Sequence, residues 1–122
     1  SAREHHIWFS KLLSSESTFC FIGVSESCVG NDAVGYCRFE SKSAHLYEIS
    51  IAIDPARQGK GHGAELLHHS CRALVGIVDG RLVVSAKIKT DNRRSRHIFR
   101  AAGFATFSIG KDFVRLEKVL RQ

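Results

Sequence analysis

The sequence has no C-x-x-C pair, a single proline, and no apolar run near the length of a membrane span. Without such a run no transmembrane helix is expected. The N-terminus lacks the layout of a secretion signal, so the expected location is cytoplasmic. Acidic residues are scarce: 12 Asp and Glu against 18 Lys and Arg leave a net charge of +6. That excess points to an anionic partner, and on charge alone nucleic acid, an acidic membrane surface and a phosphorylated cofactor all stay open. Cys20, Cys28, Cys37 and Cys71 show no metal-ligand spacing. His68, His69 and Cys71 diverge around a helix and cannot close a tetrahedron. Reduced, mostly buried thiols are expected, and no metal. Cys20 and Cys37 fall on neighbouring expected strands, which leaves a bridge between them open.

What is present suits one domain spanning residues 1–122, with 43% hydrophobic and 25% charged residues. Residues 4–13 place Ile7, Trp8, Lys11 and Leu12 at helical spacing, and Ser14-Ser15 breaks that pattern. Three β-rich stretches follow at 18–24, 34–40 and 45–53, separated by turn-forming Gly30-Asn31-Asp32 and Ser41-Lys42-Ser43. In the third, Tyr47, Ile49, Ile51 and Ile53 alternate with Glu48, Ser50 and Ala52, so its two faces differ. Asp54-Pro55 ends that strand. A helix is expected over 61–75 with Leu67, Cys71 and Leu74 on one face, then a strand over 82–88. Thr90-Asp91-Asn92 supplies capping side chains for a second helix, which stops at Gly103. A hairpin of 104–109 and 112–119 closes the chain and could supply an edge for a homodimer. The expected order is α-β-β-β-α-β-α-β-β, a mixed sheet with helices packed against it, without repeat or linker.

Chemistry concentrates between Ile49 and Leu67, where a strand feeds a glycine-rich turn that opens into a helix. Glycines let backbone approach a ligand, and the first helical amides point outward without partners. With the helix dipole they form an anion site suited to a pyrophosphate, and Lys60 adds positive charge beside it. A Walker A loop is excluded because Lys60 is followed by Gly61. Gly59-x-Gly61-x-x-Ala64 fits the dinucleotide fingerprint, but that motif follows the first strand of a larger doubly wound domain, and here three strands precede it. A glycine-rich turn with no ligand is the plain alternative.

Gln58-x-x-Gly61-x-Gly63 resembles the Q/R-x-x-G-x-G/A loop of the GCN5-related N-acetyltransferase (GNAT) superfamily. Downstream, Asn92-x-x-Ser95-x-x-Ile98-Phe99-x-x-x-Gly103-Phe104 is similar to its second cofactor-side element, in the right order and one strand away. The resemblance covers residues 36–104 well and the termini loosely. It implies an α/β (α+β) fold with a mixed, mostly antiparallel sheet, helices on both faces and a short N-terminal part. It also implies an acetyl-CoA-dependent N-acetyltransferase acting on a small-molecule or peptide amine, with no nucleic acid, membrane or metal involved.

Residue by residue, the resemblance implies a strand that splays from its neighbour to admit the pantetheine arm, held by backbone around Ile51 and Ile53. Gln58, Gly59, Lys60, Gly61, His62, Gly63 and Ala64 would form the pyrophosphate loop. Asn92 would hydrogen-bond the arm, with Ser95 one helical turn on. Glu48 is the candidate general base, since acetylation needs a neutral amine; a polar residue on the wetter sheet face is the alternative reading. Phe99 occupies a cofactor-side position where many members carry a tyrosine that protonates the departing thiolate. Tyr47 and Cys37 are substitute donors to test. Arg93, Arg94 and Arg96 sit in the first turn of their helix, where the dipole disfavours cations and a bound anion would offset the cost.

Arg3-x-His5-x-x-Trp8-Phe9-x-x-x-Leu13 is similar to the early helix of the branch that acetylates UDP-linked amino sugars. That resemblance slightly favours a nucleotide-linked amino sugar over a peptide N-terminus of the ribosomal-protein alanine type. A non-catalytic CoA-binding or interaction module is the competing class. The chain starts near the first expected helix, whereas members usually carry a strand and a helix before it. A compact variant, a domain of a longer protein or a lost substrate lid would each account for that start.

Overall fold

A computed structural model describes residues 7–14, 17–27 and 30–121, with side chains for 17–24 and 32–121. Seven strands form one sheet in the order β1-β2-β3-β4-β5-β7-β6. They are β1 (Ile7–Ser14), β2 (Thr18–Ser27), β3 (Gly30–Ser43), β4 (Leu46–Ile53), β5 (Leu82–Lys89), β6 (Ala105–Ile109) and β7 (Phe113–Leu120). Helix α1 (His62–Ile77) connects β4 to β5, and α2 (Arg93–Ala101) connects β5 to β6. β4 and β5 are parallel and the remaining neighbours antiparallel. A parallel pair needs a long crossover, and α1 provides it.

The first element corrects the expected helix: Ile7–Ser14 is a strand paired antiparallel to β2. A register shift between Phe9 and Lys11 explains the misleading spacing. It sets positions 9 and 12 opposite Gly23 and Phe21, so residues three apart face partners two apart. Antiparallel pairing also satisfies the backbone of a segment too short to hold a helix alone. The sheet extends past two expected turns. Gly30, Asn31 and Asp32 are ladder residues opposite Ser27, Glu26 and Ser25, and the turn before β4 sits at Ala44-His45.

Alternation places the core on one side of the sheet. Phe21, Cys37 and Phe39, Tyr47 and Ile49, Val84 and Ala86, and Val114 and Leu116 join Leu66, Leu67 and Leu74 of α1 and Phe99 of α2 in one buried cluster. Each large apolar side chain so buried contributes about 1.5–3 kcal/mol relative to exposure. The intervening residues, among them Arg38, Glu48, Ser50, Lys87, Arg115 and Glu117, belong to the opposite face by register. Among the described residues both helices therefore serve one face, which corrects the expectation of helices on both. The polar set on the other face does not require burial.

Candidate functional site

β4 and β5 pair through Leu46↔Val83, Tyr47↔Val84, Glu48↔Ser85 and Ile49↔Ala86, and there the pairing stops. Yet β4 runs on to Ile53 and β5 to Lys89. The two strands thus part, leaving backbone polar groups of Ser50–Ile53 without a ladder partner on that side. This is the splay expected of the strand before the loop.

The loop that follows is shaped by two left-handed glycines, Gly59 at φ 79° and Gly61 at φ 84°. A side chain would disfavour this conformation by about 1–2 kcal/mol. Gly61 caps α1 without any side-chain hydrogen bond, and the first helical bond runs from the Glu65 amide to the Gly61 carbonyl. The amides of the first turn therefore have no acceptor within the helix and carry its positive end. Gly63 serves packing: a Cβ there would lie 3.1 Å from Cδ1 of Ile98 on α2.

Splay, loop and α2 enclose a groove of about 570 Å³. Of the expected cofactor residues, Ile51, Ile53, Gln58, Gly59, Gly61, Gly63, Ala64, Asn92 and Ser95 all line it. Asn92 spends its Oδ1 as the cap of α2, accepting from the Ser95 amide at 3.1 Å, which leaves its Nδ2 to donate. Three expected residues are not in the lining. Lys60 is exposed, and His62 is buried. Phe99 is 2% exposed and packs edge-on against Phe104, centroids 5.0 Å apart, inside the core.

Of the three arginines, Arg94 alone lines the groove, donating from Nη1 to Gln58 Oε1 at 2.8 Å. Gln58 Nε2 in turn donates to the Ile53 carbonyl at 3.2 Å. Arg96 donates to the Thr90 carbonyl at 2.8 Å, a structural bond, and Arg93 stays exposed outside the lining. Arg57 and His97 also line the groove and were missed by sequence reasoning. For His97 the signal was available: Arg94, His97 and Ala101 follow helical spacing along one face.

Glu48 lies outside the groove, on the open face of the sheet, one register position before the strands part. Its Oε2 is 3.4 Å from Nη1 of Arg115, and that same nitrogen donates to Ser85 Oγ at 2.8 Å. The substitute proton donors fail on position. Tyr47 is buried on the helix face against Phe19, and Cys37 is fully buried. Burial, with Cys71 nearby, pushes the Cys37 thiol above its usual range.

No bridge joins Cys20 to Cys37, because Cys20 faces Arg38 and Cys37 faces Phe21 on opposite sides of the sheet. Cys28 lies outside the described residues. Among the described residues no cluster of three or more His, Cys, Asp or Glu is arranged for a metal, and no helix is long and apolar enough to cross a membrane.

Against known proteins, the profile of the Acetyltransferase (GNAT) family matches residues 1–104. The N-alpha-acetyltransferase RimI of Mycobacterium tuberculosis is 32% identical over 91 residues, covering 71% of this chain and 54% of that protein. The chain thus spans about half the length of this curated relative. Among solved structures, a domain from Methanocaldococcus jannaschii superposes with a TM-score of 0.73 at 23% identity, covering 88% of this chain and 70% of that one. The Campylobacter jejuni N-acetyltransferase PseH in complex with acetyl coenzyme A gives 0.68 at 16%, with the same coverage. Spermidine N-acetyltransferase from Vibrio cholerae in complex with CoA and spermine gives 0.70 at 18%, covering 85% and 66%. At these identities the structural likeness concerns the fold.

Proposed function

The chain belongs to the acetyltransferase (GNAT) family, and from that premise we propose that it moves an acetyl group from acetyl-CoA to a primary amine, acting as one acetyltransferase domain. The observation that carries the reading is the parting of β4 and β5 after Ile49↔Ala86 directly above the glycine loop. It creates an unpaired strand edge that ends at a helix N-terminus, and an extended amide-bearing arm with a pyrophosphate needs both.

The residues present fit such a ligand. Open space surrounds Gly59 and Gly61, where a Cβ would meet nothing within 4 Å. The α1 amides and Arg94 face the groove as anion donors, while Ile51, Ile53 and Ile98 form an apolar wall along the arm. Acetyl-CoA when bound supplies the activated acyl group as a thioester. Everything else falls to the chain. Backbone of Ser50–Ile53 would hold the arm as a neighbouring strand does, and Asn92 Nδ2 would donate to it.

Glu48 would take the ammonium proton, directly or through one water, so that the neutral nitrogen can attack the acyl carbon. The open face is then the side from which the amine approaches. Arg115, anchored on Ser85, would fix the carboxylate in place. The nitrogen–acyl bond forms as the carbon–sulfur bond breaks, and the second proton shed by the attacking nitrogen passes through water to the departing thiolate, since Phe99 has no proton to give.

For the acceptor, the relative at 32% identity is named an N-alpha-acetyltransferase, and that likeness favours an α-amine such as a peptide N-terminus. The amino-sugar reading rests on the similarity of the early segment to a helix, and Ile7–Ser14 is a strand, so it stands second. Calorimetric titration of acetyl-CoA, with NAD and short oligonucleotides as controls, tests the site. Turnover on N-terminal peptides, a UDP-linked amino sugar and spermidine then selects the acceptor. Micromolar binding of acetyl-CoA without turnover on any amine would replace the enzyme with a CoA-binding module, and absence of binding would remove both readings.

A further inference from the structure

A second and larger cavity, about 730 Å³, lies on the far side of the α1–α2 contact. It takes no part in the proposed chemistry. Leu67, Cys71 and Val75 of α1 form one wall, and Phe104 and Leu120 form another. These positions on α1 recur at helical spacing, so the cavity follows one stripe of the helix down to Gly76. Burial pushes the Cys71 thiol up to about 12, so this wall is uncharged at neutral pH. The volume falls within the roughly 300–1,000 Å³ range of small-molecule sites, which are typically apolar with a few placed polar groups.

The polar groups here are of one kind. Arg72, Lys118, Arg121 and His68 line the cavity, and among the described residues no Asp or Glu does. Lys118 is fixed in position, its Nζ donating at 2.6 Å to the Ala102 carbonyl at the end of α2. An ammonium has three hydrogens, so further donors remain for an anion. Among the described residues Arg72 makes no salt bridge, and it is exposed. An apolar trough with a basic rim and no acid is complementary to one ligand chemistry, an apolar body ending in a single negative charge.

We propose that this cavity binds a small amphipathic carboxylate, such as a medium-chain fatty acid, with its tail along Leu67, Cys71 and Val75 and its head at Arg72 and Lys118. Because Ala64 and Ala101 line both cavities, an occupant here would lie back to back with the groove between β4 and α2.

The test uses the whole chain and decanoate below its micellar concentration, with decanol and decyltrimethylammonium as matched neutral and cationic probes. Binding is read by calorimetry. Gly76→Trp plugs the trough at a position where a Cβ meets nothing within 4 Å, so the fold should tolerate it. Arg72→Glu reverses the rim. The expected result is decanoate binding at least tenfold tighter than either comparator, weakened at least tenfold by each substitution, with acetyl-CoA affinity unchanged in both variants. Absence of decanoate binding to the unaltered chain overturns the proposal, as does equal affinity for decanol. Competition between decanoate and acetyl-CoA, with Gly76→Trp weakening both, would assign the cavity to the nucleotide end of the cofactor site and overturn it as well. Thermal melting of each variant separates lost binding from lost fold.

Discussion

Gln58 and Arg94, 36 positions apart in the chain, meet in a 2.8 Å hydrogen bond across the mouth of the groove. The bond ties the loop after β4 to the first turn of α2 and holds a guanidinium at the groove. It also sets Arg94 apart from Arg93 and Arg96.

Arg94→Ala should weaken acetyl-CoA binding by about tenfold, close to 1.4 kcal/mol for a charge-assisted contact. The loss should be larger at low ionic strength. Arg93→Ala, outside the lining, should change affinity little. Calorimetry at two salt concentrations distinguishes the pair, and equal losses would show a general field rather than a placed contact.

Glu48→Gln should lower kcat by about 10²–10⁴, the range for losing a positioned base. Acetyl-CoA affinity should hold, because Glu48 faces away from the groove. Arg115→Ala should produce a smaller loss in kcat, partly restored by Arg115→Lys, since the role is to hold the carboxylate. Steady-state kinetics with saturating acetyl-CoA checks both, and an unchanged kcat in Glu48→Gln removes it from the mechanism.

Phe99→Tyr restores the residue common in relatives, yet it should not raise kcat. The ring is buried against Phe104, so a hydroxyl added to it enters the core. An unsatisfied buried hydroxyl costs about 1–3 kcal/mol. A lower melting temperature with unchanged turnover is expected, and a rise in kcat would mean the side chain reaches the thiolate after all.

Cys37 and Cys71 set a limit at high pH. Burial is the largest cause of both raised thiol pKa values, and Cys71 rises from 9.0 to about 12. Unfolded thiols ionise first as pH climbs past 9.0, while the folded ones stay neutral. Stability is thus fully present below pH 9.0 and is lost above it, by about 1.4 kcal/mol per pH unit for each raised thiol. Urea melts at pH 8 and pH 10 should show the drop, and Cys71→Ser should flatten it. In the native state Cys20, partly exposed, should react with a thiol reagent before either.

The glycine loop and the Asn92 cap were legible because each rests on local backbone geometry that few residues satisfy. Gly61 at positive φ and Asn92 bonded to the Ser95 amide are local facts, readable from adjacent residues. The register shift at Phe9/Lys11 hid a strand behind helical spacing, since a bulge changes the phase of alternation without changing composition. The Gln58–Arg94 bond, the displacement of Phe99 into the core and the one-sided helices depend on where distant segments meet.

Among the described residues, the short run of pairs from Leu46↔Val83 to Ile49↔Ala86 is the ladder that joins the β1–β4 half of the sheet to the β5–β7–β6 half. The β1–β4 half is built from antiparallel neighbours close in sequence, whereas this junction must wait for α1 to cross over, and β5 must wait for α2 and β6 before it meets β7. The parting of β4 from β5 is therefore a seam between a locally paired unit and one assembled across longer stretches of chain. A ligand laid into it would bond to both edges and act as a rivet. Amide hydrogens along Ser50–Ile53 and Lys87–Lys89 would then exchange with solvent as one cooperative group when the seam is filled, and independently when it is open.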